Sequence, residues 1–139
     1  MQSYSGDLIP LKVYEVLRSD TAAVLVDVRT SAEWHYVGVP DLASLGRSPV
    51  NIEFRQLPEM NKNSKFLEML NSKVQDKLIK VYFLCRTGGR SQEAAIMAYQ
   101  DGYKFAFNIT DGFEGELDGS GHRGKINGWK ASRLPWRQD

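Results

Sequence analysis

The chain has a single cysteine, Cys85, so no internal disulfide can form and no cysteine cluster exists to bind zinc. Its two histidines, His35 and His122, stand isolated in the sequence, so no metal site is expected. Neither sign of charge dominates: 18 Lys and Arg against 17 Asp and Glu leave a net +1. Such a balance supplies no broad basic field to draw the chain to nucleic acid or to a membrane surface, and neither partner is expected. Long apolar runs are missing as well, with no window near the ~20 residues that span a bilayer. The opening stretch MQSYSGDLIPLKVYEVL has no basic start followed by an apolar run. No secretory leader is therefore read, and a reducing cytoplasm is the expected setting. What is present is ordinary globular composition, 42% hydrophobic and 25% charged over 139 residues, without repeats or low-complexity blocks. This predicts one domain over 1–139.

Apolar periodicity alternates along the chain. Pro10 followed by LKVYEVL predicts a helix with Leu11, Val13, Val16 and Leu17 as its stripe. AAVLVDV (22–28) reads as a strand buried on both faces. Thr30-Ser31-Ala32-Glu33 fits a capping box and predicts a short helix, TSAEWHY. PVNIEF (49–54) reads as a strand, Asn63 to Val74 as a helix, IKVYFL (79–84) as a strand, and SQEAAIMAYQ as a helix with a slim alanine face. KFAFNI (104–109) reads as a further strand and GWKASRL (128–134) as a last short helix. Between them, the glycine-rich stretch ITDGFEGELDGSGHRGKINGW reads as an ordered surface loop. Strands alternating with helices predict an α/β fold with three layers, α/β/α, around a mainly parallel central sheet of four to five strands.

In such a sheet, ligands bind at the carboxyl ends of the strands. Cys85 falls there, followed by Arg86, Thr87, Gly88, Gly89 and Arg90. The two glycines are free to take positive φ and turn their N–H groups inward. Ser91 is read as the N-cap of the next helix, whose amino end carries partial positive charge. An anion is stabilised at the centre of this cradle, and the nearest one is the Cys85 thiolate, which should ionise more readily than a free thiol. A lone cysteine ending a strand is often only core filling, but core filling needs neither two glycines nor two arginines beside it. The solvent-facing turn is expected to bring the sulfur near water. Asp27 and Arg29, at the end of a strand, are read as supporting residues that fix adjacent loops by hydrogen bonds. Trp34, Trp129 and Trp136 are read as core or rim aromatics.

CRTGGRS (85–91) resembles the active-site loop of the rhodanese-like sulfurtransferases, and LVDVRTSAEW (25–34) resembles the family's other signature. DGFEG and GWKASRLPW are similar to its closing segment, so the resemblance runs from about residue 10 to 136. After Gly38, VPDLASLG departs from the family's usual run. The resemblance implies a single-domain rhodanese fold and a ping-pong sulfur transfer without a cofactor. Cys85 would be the catalytic residue, with Arg86, Thr87, Gly88, Gly89 and Arg90 binding the anion. An anionic small-molecule donor, thiosulfate or a persulfide, would load Cys85, and an external thiol, cyanide or a protein sulfur acceptor would unload it. Related phosphatases have one more residue between cysteine and arginine, so the resemblance favours sulfur over phosphate. A phosphatase or arsenate reductase and a non-catalytic carrier or regulatory domain stay open as alternatives.

Overall fold

Pro10 opens the first long helix because its fixed φ suits a position where no N–H is needed. In the computed structural model, which describes residues 3–138, a short strand β1 (Gly6–Leu8) leads into that helix, α1 (Pro10–Ser19). The apolar run that follows gives β2 (Val24–Asp27). Thr30 then closes its capping box: its Oγ1 accepts the Glu33 N–H at 3.3 Å, and Glu33 Oε1 accepts the Thr30 N–H at 3.1 Å. This starts α2 (Ser31–Tyr36). Four short strands come next: β3 (Val39–Pro40), β4 (Val50–Asn51), and a hairpin of β5 (Arg55–Gln56) with β6 (Asn61–Lys62). The chain continues through α3 (Phe66–Lys73), β7 (Lys80–Leu84), α4 (Gly89–Gln100), β8 (Phe105–Ile109) and β9 (Trp136–Arg137).

The central sheet has five strands in the order β1-β8-β7-β2-β4, and every pairing in it is parallel. Side chains along a strand alternate between faces, and β7 shows the consequence. Val81, Phe83 and Cys85 enter a core with Phe66 and Leu70 of α3 and Ala94, Ala95 and Ala98 of α4. Tyr82 and Leu84 enter the opposite core, with Val13 and Leu17 of α1 and with Phe113, Trp129 and Leu134. The sheet is thus covered on both faces, and the three-layer α/β fold expected from the sequence is the one observed.

Several boundaries differ from the sequence expectation. The strand expected over 49–54 is only two residues long as a regular element. Its pairing nonetheless continues through single bonds, Ile52 N–H to Asp27 O at 3.0 Å and Phe54 N–H to Val28 O at 3.1 Å. Residues 128–134 form a turn rather than a helix, because Arg133 takes a positive φ of 60° and a single i→i−4 bond, Ser132 N–H to Gly128 O, is made before it. Helix α3 starts at Phe66 instead of Asn63, whose Oδ1 accepts the Lys65 N–H and whose Nδ2 donates to Glu53 O. Strand β1 has no apolar alternation to announce it. Among the described residues no helix is long and apolar enough to cross a membrane.

Candidate active site around Cys85

Strand β7 lies at the centre of the sheet, between β8 and β2. Cys85 follows directly from its carboxyl end, with its side chain on the α4 face. Gly88 then turns the chain with φ 114°, a value reserved for glycine, and α4 starts at Gly89. The Gly88 N–H is thereby aimed back at Cys85 Sγ, 3.1 Å away. The amino end of a twelve-residue helix stands over the sulfur, adding its positive partial charge.

Two expectations for this loop are corrected. Ser91 does not cap α4; the cap position is Gly88, and Ser91 is the third residue of the helix's first turn, fully buried. Its hydroxyl reaches Cys85 Sγ at 3.2 Å instead. Cys85 is not near water either: it is 1% exposed, because Gly88 and Ser91 close over the sulfur while Arg86, Thr87 and Gly89 form the outer rim.

The two arginines have different roles. Arg90 grips Glu33 with both ends of its guanidinium, at 2.7 and 2.9 Å, and both side chains are largely buried. Burial penalises each charge, yet the fork outweighs it. The Glu33 carboxyl is held below its ordinary range, helped by Thr30, and the Arg90 guanidinium is raised, helped also by charge on Cys85 and Asp27. Arg86 is exposed and makes no ion pair among the described residues. It lines a cleft beside the loop together with Glu33, Arg90, Glu114, Val37 and Leu57.

Asp27 and Arg29 are both completely buried. Arg29 Nε donates to Asp27 Oδ1 at 2.9 Å, and Nη2 donates to Asp27 Oδ2 at 2.7 Å and to Gly38 O at 2.8 Å. The guanidinium also lies 4.3 Å from the Phe113 ring centroid. This pair ties the end of β2 to the loops beside it and does not line the cleft.

Sequence reasoning missed the residues behind the loop. Phe113 N–H donates to Cys85 O at 2.8 Å and Glu114 N–H to Arg86 O at 3.0 Å, so the glycine-rich segment clasps the nucleophile's own peptide. Gly112 makes this possible. It has φ 67°, and a Cβ there would overlap the Arg86 carbonyl and lie 2.6 Å from Cys85 O. Asn108 is the second omission, a polar side chain 4% exposed in an otherwise apolar strand. It accepts from Ser91 Oγ at 2.5 Å. The signal for it was present, since a buried polar residue in a strand requires a partner.

A parallel five-stranded sheet covered on both faces, with a cysteine turning into a helix at the end of its central strand, defines a rhodanese-like fold. The solution structure of a polysulfide-sulfur transferase homodimer from Wolinella succinogenes has the same fold. It is 20% identical, with a TM-score of 0.63, over 96% of this chain and 78% of that one. The crystal structure of Rv0390 from M. tuberculosis is nearer, 48% identical with a TM-score of 0.91 over 98% and 99% of the two chains. Rhodanese-like domain-containing protein 4 of Arabidopsis thaliana is 32% identical over 124 residues, 88% of this chain and 24% of that chloroplastic protein. The family described as the STR4 middle domain matches residues 9–139, and the chain belongs to it.

Proposed function

We propose that the protein transfers sulfane sulfur through a persulfide on Cys85. The thiolate attacks the outer sulfur of a donor, thiosulfate or a small persulfide, forming a new S–S bond as the donor's own bond to that sulfur breaks. Sulfite or a thiolate leaves with the electron pair. The outer sulfur then carries the negative charge, and an external thiol or cyanide attacks it and returns Cys85 as thiolate. No second cysteine exists to take the sulfur internally. The observation that carries this reading is the Gly88 N–H aimed at Sγ from the start of α4, a preorganised donor for negative sulfur. Exposed Arg86 is the cation left to attract an anionic donor, since Arg90 is committed to Glu33.

That commitment, together with the burial of Cys85, favours a second reading: a carrier that loads sulfur stoichiometrically but turns over slowly. Thiocyanate release from thiosulfate and cyanide tests the two against each other. Steady release that is absent in Cys85→Ser supports the enzyme, whereas uptake of one sulfur without continued release supports the carrier. Equal release from the serine variant would exclude both.

A further inference from the structure

Behind Cys85 runs a chain of side-chain hydrogen bonds that the transfer chemistry does not use. Cys85 Sγ lies 3.2 Å from Ser91 Oγ, and Ser91 Oγ lies 2.5 Å from Asn108 Oδ1. Asn108 Nδ2 donates to Asp7 Oδ1 at 3.0 Å, and that same oxygen accepts from Tyr4 OH at 2.9 Å. Tyr4 OH in turn accepts from Gln92 Nε2 at 3.0 Å. The direction of this chain is fixed by chemistry at one end. A carboxylate only accepts, so Asp7 must face the Asn108 amide N–H, and the Asn108 carbonyl must face Ser91.

Ser91 has one hydroxyl proton, and both Asn108 Oδ1 and Cys85 Sγ compete for it. If Ser91 gives it to Asn108, the sulfur can join the chain only as a donor, which means as the thiol. If the sulfur is a thiolate, the Gly88 N–H already faces it, and a second donor can come only from Ser91; a nearly buried amide oxygen then loses its partner, at a cost in free energy. In a persulfide the inner sulfur is bonded on both sides and carries no charge, so Ser91 can stay on Asn108. The charged groups around the loop are Arg86, the Arg90–Glu33 pair from α4 and α2, the Asp27–Arg29 pair at the end of β2, and Asp111 and Glu114 of the glycine-rich segment. None of these sits in the chain of bonds.

We propose that Asn108, oriented by Asp7, is a positioning residue that draws the Ser91 proton away from Cys85 and so favours the thiol and the persulfide over the free thiolate. The device is a brake on both halves of the transfer. It slows attack by the resting sulfur, and it prolongs the life of the persulfide, whose discharge must release a thiolate. This deepens the sulfur-transfer reading, but it is tested by a reaction that needs no sulfur donor.

The test is the rate of Cys85 alkylation by iodoacetamide, followed by intact-protein mass spectrometry. Asn108→Leu removes the competing acceptor while keeping the same branching and number of heavy atoms, and should speed alkylation at pH 7 about tenfold, the effect of one hydrogen bond to a charged group. The gain should vanish at pH 10, where an ordinary thiol is already ionised. It should also vanish at pH 7 when Ser91→Ala is present in both proteins. Asp7→Asn, on an exposed residue, should act in the same direction, because an amide there can donate to Asn108 and let it turn round. This second variant decides the matter if Asn108→Leu does not fold. An unchanged rate would overturn the proposal, as would a gain that persists at pH 10 or without Ser91. Failure of wild-type protein to take up sulfur would overturn the transfer reading and leave the alkylation result standing.

Discussion

Arg29 carries a full charge at zero exposure, and the residue scale is where its cost is met. Its fork on Asp27 and its bond to Gly38 O satisfy two of the three guanidinium nitrogens, and the Phe113 ring lies close to its charged carbon. Removing the cation leaves Asp27 buried and unpaired, which typically costs ~3–5 kcal/mol. Arg29→Met should therefore lower the denaturant midpoint sharply, and a double variant with Asp27→Leu should recover part of the loss. No recovery would show that the two side chains are not coupled. Glu33 offers a second residue-scale prediction. Its carboxyl is depressed in the fold by Arg90, so it binds protons less readily than in the unfolded chain. The stabilisation is complete above the ordinary glutamate value of 4.5 and is lost as pH falls through the lower folded value. Unfolding measured from pH 6 down to pH 3 should show wild type losing stability more steeply than Glu33→Gln in the lower half of that range. Parallel curves would contradict this.

At the scale of elements, the candidate site is held by a turn on one side and a clasp on the other. Gly88 sets the start of α4 over the sulfur, and Gly112 lets the glycine-rich segment bond the carbonyls of Cys85 and Arg86. Gly112→Ala has neither the φ nor the space, and it should cost more than about 2 kcal/mol, as strain and overlap combine. Thermal unfolding checks the size, and the same variant should react more slowly with a sulfur donor even when folded. Full stability in Gly112→Ala would mean that the clasp is dispensable. The capping box at Thr30 gives a smaller expectation, a loss of ~1 kcal/mol in Thr30→Ala.

The same scale shows what the sequence could and could not disclose. Elements with long apolar periods, such as β7 and α4, were legible, and so was the capping box, because each rests on neighbours within a few residues. Strand β1 and the clasp were not. Gly6–Leu8 becomes a strand only by pairing with Phe107–Ile109, far along the chain. The use of Gly112 depends on where the Cys85 carbonyl ends up. The expectation of Ser91 as a cap fails for a related reason. A cap is a local motif, and nothing local reveals that Gly88 takes that place and releases the serine hydroxyl for the sulfur.

For the whole molecule, the sheet order places the end of β7 in the middle of five parallel strands, so that the cysteine meets the amino end of α4 in a core covered on both faces. The arrangement suits a sulfur that is shielded from water yet faces a fixed N–H. The most direct measurement is intact mass and peptide mapping after brief treatment with a small persulfide or thiosulfate, followed by gel filtration. One added sulfur atom on Cys85, removed again by cyanide, is the expected result. An unmodified Cys85 after treatment with both donors, in protein shown to be folded, would contradict the account.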